Sequence, residues 1–417
     1  MQVTGKKNKI DNQDFLSIGP SLNFKDFIYL DKFRYNEQAF FLINNMDGRT
    51  SSDDLKLKFK KFFSIPLSDK IFLRLLRKLE KSKLLLVKKG GYLLSKISKS
   101  YLIELVKKYE QIFKKIKIKN SIFDGVMYKS EPRGLKRDIE RCFASVKEKK
   151  LRNILRKIKI LKGIVVPHSN IELSGTCAAW AYRAVELMGL PDVIILLVPN
   201  HTFRLRKYPF SVCVKSFRTP FGVVRTAESF INKLAEECEF DIFQNELAHL
   251  YEHAIEIQLP FLQFIYRSTQ KKLLIVPIIC NLSGITEFHK RPGRLWYHFL
   301  NALRSCIMRS RESVLIIASG DLYHQKGSRI SECFHEKNKK IIKAMEKADK
   351  SIIAGLYVER SNICCIDPFV SFLELLRPKR GLLLDYSWSG KQNLVQKLSG
   401  KKKYVWSGQI GFASMVF

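Results

Sequence analysis

Histidines stand at three points where an apolar run gives way to polar residues. Gly163–Val166 leads into Pro167-His168-Ser169-Asn170, and Val193–Val198 into Pro199-Asn200-His201. Ser313–Ala318 leads into Ser319-Gly320-Asp321-Leu322-Tyr323-His324. An imidazole can ligate a transition metal or move a proton near neutral pH, and a neighbouring carboxylate can orient it. A second cluster is His249-Leu250-Tyr251-Glu252-His253-Ala254-Ile255-Glu256. On a helix, His249, Glu252, His253 and Glu256 would share one face. The bland account is a solvated charged face, yet Ile255, Leu259, Phe261 and Leu262 mark the following stretch as core. The third group is Asn362-Ile363-Cys364-Cys365-Ile366-Asp367-Pro368. Adjacent cysteines rarely chelate one metal together; more often one points inward and the other packs. Local sequence leaves open whether either is a ligand or an inert buried thiol.

These groups need elements to position them. The apolar runs above, with Leu273–Ile279, are rich in β-branched residues and alternate with helical patterns over Gly134–Glu148, Thr176–Met188 and Ile255–Tyr266. Continuous apolar strands between helices predict an α/β fold: a mostly parallel sheet flanked by helices on both faces. In open sheets of this kind, sites assemble at the carboxyl ends of the strands. His168, His201, Asp321 and His324 are therefore expected to converge. One histidine after a strand is usually a satisfied structural residue; three at one edge are harder to explain that way.

The first 95 residues read as a separate small domain. Asn23–Leu30 is strand-like, Asn36–Asn45 helical, and Asp47-Gly48-Arg49-Thr50 a turn. Ser51-Ser52-Asp53-Asp54 offers N-cap chemistry to a second helix, and Ser68–Lys81 carries Ile71, Leu73, Leu76 and Leu79 at helical spacing. Leu84–Val87 and Tyr92–Leu94 flank Lys88-Lys89-Gly90-Gly91 as a hairpin. Helices followed by a short hairpin suggest a winged-helix-like module. A basic helical linker over 96–120 is expected to join it to the larger domain, 121–417. Phe123–Tyr128 reads as a turn.

The chain has 417 residues, too many for one compact core, and a net charge of +35. Residues 1–163 carry +23 of it and the rest +12. Such charge can attract nucleic acid, anionic lipid or an acidic protein, but the lysines are scattered rather than grouped into a recognition motif. Nine cysteines with no Cys-x-x-Cys spacing argue for reduced thiols in a cytoplasmic protein rather than a disulfide framework. The N-terminal residues have no apolar signal core, and no apolar run approaches the ~20 residues of a membrane span.

At the polar groups the chain resembles a known family. Pro167-His168 with Ser174-Gly175, Pro199-Asn200-His201-Thr202, Phe217-Arg218-Thr219-Pro220, Glu252-His253-Ala254-Ile255-Glu256 with Leu259-Pro260-Phe261-Leu262, Ser319–His324, Ile363-Cys364 and Gly411-Phe412-Ala413 resemble the Memo family in its own order. That family is also called AmmeMemoRadiSam system protein B. Asp47–Thr50 and Lys83-Leu84-Leu85 resemble pieces of the PqqD-like domain. The Memo resemblance implies a fold similar to class III extradiol dioxygenases, with a pocket of two histidines and a cysteine. Carried over, the metal ligands are His168, His201 and Cys364, and His253, Asp321 and His324 are catalytic candidates lining the same pocket. A thiolate among the ligands favours copper or iron, with zinc also accommodated. The chain departs from the pattern in three places. The family's His-Ala-Gly-Tyr is His168-Ser169-Asn170-Ile171, the second Ser of its Ser-Ser-Asp is Gly320, and the Gly after its Cys is Cys365.

Three function classes follow. The first is a metal-dependent redox enzyme or oxygenase working with an AMMECR-type protein and a radical SAM enzyme, partners that the family's system name implies. The second is a non-catalytic protein that binds a metal, a small molecule or a peptide in the pocket. The third and least favoured is a nucleic-acid-associated protein, resting on charge and on Arg74, Arg77, Lys78, Lys81 and Lys83 in the stretch Ile71–Lys83.

Overall fold

The computed structural model describes residues 53–57, 72–73, 85–88, 91–94, 111, 113–201, 208–281, 293–326, 330–358, 363–390, 397–398, 401–402 and 408–417. The chain divides into two compact units, Met1–Tyr109 and Glu110–Phe417. In the first, β1 (Leu85–Lys88) and β2 (Gly91–Leu94) form an antiparallel hairpin with Leu86 opposite Leu93. Residues 53–57 and 72–73 are helical. The expected elements at 23–30, 36–45 and 47–50, most of 68–81 and most of the joining segment 96–120 lie outside the described residues.

The second unit is built on a mixed sheet. Its strands are β3 (Ile118–Lys119), β4 (Gly163–Val166), β5 (Val193–Pro199), β6 (Phe210–Val212), β7 (Ser216–Thr219), β8 (Gly222–Thr226), β9 (Leu274–Cys280), β10 (Val314–Ser319), β11 (His324–Lys326) and β12 (Leu382–Trp388). The short pair β13 (Lys397–Leu398) and β14 (Lys401–Lys402) stands apart, and β15 (Gly408–Val416) closes the chain. The sheet order is β11-β15-β4-β10-β5-β9-β8-β7-β3, with β12 on β15 and β6 on β9. The central strands β4, β10, β5, β9 and β8 run parallel; β15, β12, β11, β6 and the β7–β8 pair are antiparallel.

The four apolar runs are the strands β4, β5, β9 and β10, each displaced from the expected bounds by no more than a residue. They lack polar alternation because both faces are covered. On β5, Ile194, Leu196 and Val198 face one core layer, while Val193, Ile195 and Leu197 face the other. The first layer packs the helices Pro132–Ala144, Ile171–Met188 and Leu259–Tyr266; the second packs Arg294–Arg309, Glu332–Glu346 and Ile366–Leu376. Truncating a fully buried residue such as Leu196 to Ala costs about 2–5 kcal/mol in such a core.

Two expectations are corrected. The helical reading of the joining segment fails at its end, where β3 pairs in parallel with β7. Strand alternation turns the Lys119 side chain inward, where it is 1% exposed and ion-paired with Glu256 at 2.7 Å. The run 249–256 is not one helix either. Glu246–Tyr251 is a 3-10 turn, Glu252 is extended, and a short helix His253–Glu256 follows. Buried partners on different sides pull the four side chains off a common face.

Candidate metal centre

The end of β4 places His168, which is 2% exposed. The parallel register sets Ser319 of β10 beside Val166, so the residues following each strand lie side by side. Asp321 uses this proximity. Its Oδ1 accepts the His168 backbone N–H (2.9 Å), and its Oδ2 accepts the Ser169 hydroxyl (2.6 Å). Asp321 thus holds the His168 loop through the backbone rather than through the ring. The ring's Nδ1 lies 3.2 Å from Ser319 Oγ. That hydroxyl already accepts from Gln258 Nε2 (2.9 Å), whose Oε1 accepts from Tyr182 (2.6 Å). Ser319 Oγ has the Ala254 carbonyl (3.5 Å) as an acceptor for its own proton, so it can accept from both Gln258 Nε2 and His168 Nδ1, an arrangement that suits a proton on Nδ1. The ring's Nε2 is turned towards Cys364 Sγ, 3.3 Å away.

Cys364 is half-buried, with Sγ also 3.5 Å from the Asp321 carbonyl and 3.7 Å from His324 Nε2. A backbone bridge between Tyr323 and Ile363 carries it there. Cys365 is the packed member of the pair. It is fully buried, and burial first, then Cys364, pushes its thiol well above the ordinary range. Its side chain lies on Gly320: a Cβ there would overlap the Cys365 Cβ and come within 2.8 Å of its Cα. Two of the three departures from the family pattern, Gly320 and Cys365, therefore occupy one space. The loop Gly320–His324 is clamped from behind. Leu322 donates to Gly411 O (2.8 Å), Gly411 donates to Tyr323 O (3.1 Å), and the Tyr323 N–H donates to buried Asn338 Oδ1 (3.0 Å). Gly411 is required because any Cβ would overlap the Asn338 amide.

His201 follows β5 and is held by a carboxylate. Glu252 accepts its backbone N–H through Oε2 (2.8 Å) and its ring Nδ1 through Oε1 (2.8 Å). Glu252 also caps the helix His253–Glu256 by accepting from Ala254 N–H (2.9 Å) and lies 3.5 Å from His253 Nδ1. Burial pushes the Glu252 carboxyl up, but His201, His253 and the Ala254 N–H outweigh it and hold it at about 2. An ionised Glu252 makes His201 Nδ1 the donor and leaves Nε2 as the nitrogen that could ligate an ion. The ring centroids of His168, His201 and His253 are 4.4–5.3 Å apart, and Phe123 meets His253 edge-on at 5.7 Å.

Beneath this half lies a buried charged layer. Glu256 accepts from Lys119 Nζ, from the Ile122 and Phe123 N–H groups and from Tyr128 OH (2.7 Å). Burial and then Glu256 raise the Tyr128 hydroxyl far above its ordinary value. Lys215 pairs with Glu246 at 2.9 Å. His249 is fully buried and donates from Nε2 to Ser211 O (3.1 Å); burial depresses it to about 3, so it is neutral. Its Nδ1 has no hydrogen-bond partner among the described residues.

The structure therefore brings His168, His201, His253, Asp321, His324 and Cys364 to one place and sends His249 elsewhere. Ligand-type atoms of His168, His201 and His253 lie within 4.8 Å of one another, as do those of His168, Asp321 and Cys364. The expected ligands are split between these two groups, with His168 common to both. Lys119, Tyr182, Gln258 and Ser319 escaped the sequence reading. The alternation Ile116-Lys117-Ile118-Lys119 was the available sign of a strand at Lys119; the others carry no local signal.

A parallel-centred α/β sheet gathers imidazoles, a thiol and a carboxylate at its carboxyl edge, groups that could hold a metal ion. The sequence pattern of the Memo-like protein family matches residues 120–399. A MEMO1 family protein of Saccharolobus solfataricus is 33% identical over 214 residues, covering 48% of this chain and 67% of that one. Those of Saccharolobus islandicus and Sulfolobus acidocaldarius are 33% and 31% identical over 213 and 206 residues, with the same coverage. The chain belongs to the Memo-like family.

Proposed function

We propose that His168, His201 and Cys364 hold one transition metal, copper, iron or zinc. The observation that carries this reading is the way two imidazoles are prepared. His168 is committed to Ser319 through Nδ1 with Nε2 at the Cys364 thiol, and His201 is committed to Glu252 through Nδ1. Outer partners that fix the tautomer are what ligand histidines need. A metal there would supply redox or Lewis-acid chemistry of the oxygenase type. His324, 3.7 Å from Sγ, is placed to take the thiol proton that ligation releases. His253 borders the same space and is the second proton-transfer candidate. The proximity of His168, His201 and His253 favours a second reading, in which three imidazoles bind the ion and Cys364 lies beside it.

Cobalt(II) substitution separates the two. A thiolate-to-cobalt absorption band in wild type, lost in Cys364→Ser and kept in Cys365→Ser, supports the His/His/Cys set. Full cobalt loading with no such band would leave the three-imidazole set. Elemental analysis in which His168→Ala retains as much metal as wild type would sink both. The family's system name motivates a further expectation, association with an AMMECR-type protein and a radical SAM enzyme. Co-purification of the three chains tests it.

A further inference from the structure

The edge of the sheet opposite the histidines has a chemistry of its own. β4, β10, β5 and β9 run parallel, so the residues leading into them share that edge; antiparallel β12 and β15 bring Gly381 and Phe417 to it. Of the sixteen residues 147–162 that lead into β4, eight are Lys or Arg and one is Glu. Lys147, Lys149, Lys150 and Arg152 belong to the start of the helix Glu148–Leu155, packed on the helix Ile171–Met188 and β12, and Arg156, Lys157, Lys159 and Lys162 follow it to the edge. All eight are exposed. Lys147, Lys149, Lys150 and Lys157 among them line an open concavity of about 540 Å³. Lys159 and Lys162 stand just before β4, Lys271 and Lys272 before β9, and Lys379 and Arg380 before β12, all exposed. Acids also lie near this edge, among them Glu148, Asp192, Glu237, Glu312, Glu346 and Asp349, but they are outnumbered; Asp192 is tied to Lys271 and Ser313, and Glu237 to Arg309.

Two aliphatic side chains project among these cations. Ile160 is 69% exposed, and Met308, at the end of the helix leading into β10, is 78% exposed. They are the most exposed large hydrophobic residues among those described. Ile160 stands three residues before β4 and Met308 six residues before β10, its neighbour in the sheet, so both belong to segments that enter this edge, from opposite faces of the sheet.

We infer that this edge docks on an anionic lipid surface. Clustered cations are drawn to acidic headgroups, and projecting aliphatic side chains gain by entering the acyl boundary. A surface for single-stranded nucleic acid would instead join its cations to aromatic stacking platforms, and the projecting residues here are aliphatic; duplex binding through phosphates alone is separated by the test below. No helix among the described residues is long and apolar enough to cross a membrane, so the docking is peripheral. The histidine pocket, on the opposite edge, then faces the aqueous side.

The test is co-sedimentation of the full chain with vesicles of phosphatidylcholine, with and without phosphatidylserine. Binding should require phosphatidylserine. Lys159→Glu/Lys162→Glu should weaken it by roughly tenfold or more. Ile160→Ser, which leaves the charge unchanged, should weaken it several-fold. Arg133→Glu/Arg137→Glu makes the same charge change on exposed residues of the helix Pro132–Ala144, which starts near the pocket, and should leave binding near wild type. Equal losses in the two charge-reversed variants would reduce the effect to overall charge and overturn the inference. So would an Ile160→Ser variant that binds vesicles like wild type while duplex DNA competes them off; the edge would then be a nucleic-acid surface.

Discussion

His168 and His201 end adjacent regions of one sheet, yet they are secured by opposite means. The His168 half, with Asp321, His324 and Cys364, is secured mainly by backbone: strand register, an Asp321 that accepts a main-chain N–H, and the Gly411 clamp behind the loop. The His201 half is secured by buried charge, with Glu252 on the imidazole and the Lys119–Glu256 pair below. A backbone-built half tolerates the loss of one side chain. A charge-built half does not, because each partner removed leaves another ion buried without compensation.

The largest effect that could break this contrast is at Lys119 and Glu256. Lys119→Met and Glu256→Gln should each cost about 3–5 kcal/mol, and the double variant should cost clearly less than their sum, as coupling within a buried pair implies. Denaturant unfolding measures all three; additive single effects would show that the pair is not coupled.

Acid comes next. Folded His249 sits at about 3 against an ordinary 6.5, so the unfolded chain takes up its proton first. Stability should fall by up to about 1.4 kcal/mol per pH unit as pH drops from about 6.5 towards 3. Glu252, held at about 2 in the folded state, adds stability that is full above about 4.5 and lost as pH falls to about 2. Urea midpoints measured across pH should show both windows, and His249→Gln should remove the upper one alone.

The two halves should also differ in metal affinity. Glu252→Gln removes a charged orienting partner and Ser319→Ala a neutral one, so losses of ~10–100-fold are expected, with Glu252→Gln the larger. Chelator competition reads both, and the reverse order would show that the backbone-built half carries the ligand geometry. The smallest effect concerns the clamp. Asn338→Ala should cost about 1–2 kcal/mol through the Tyr323 N–H it leaves unpaired. Gly411→Ala should be better tolerated in that background than in wild type, which thermal melting would show.

The same contrast explains what could be read from the sequence. Continuous apolar runs ending in Pro-His or Ser-Gly-Asp announce buried parallel strands and their carboxyl ends, so the backbone-built half and four central strands were legible. The family motifs added Cys364, whose own neighbourhood cannot distinguish ligand from packed thiol. The charge-built half was misread as a single helical face because its geometry depends on partners 50 or more residues away, such as Glu252 with His201 and Glu256 with Tyr128. A helical spacing of charges says nothing about which buried ion each will meet. Lys119 was assigned to a solvated linker for the same reason: its partner lies 137 residues on.

The shared space at Gly320 and Cys365 has a consequence for the order of mutation. Restoring serine at 320 first drives its Cβ into Cys365; restoring glycine at 365 first leaves a vacancy but no collision. The second path is the passable one, and even then the Cα at 365 must give slightly. The two family-pattern residues therefore behave as one heritable unit. A graft of either position alone from a relative carrying the family pattern should fail in one direction and succeed in the other.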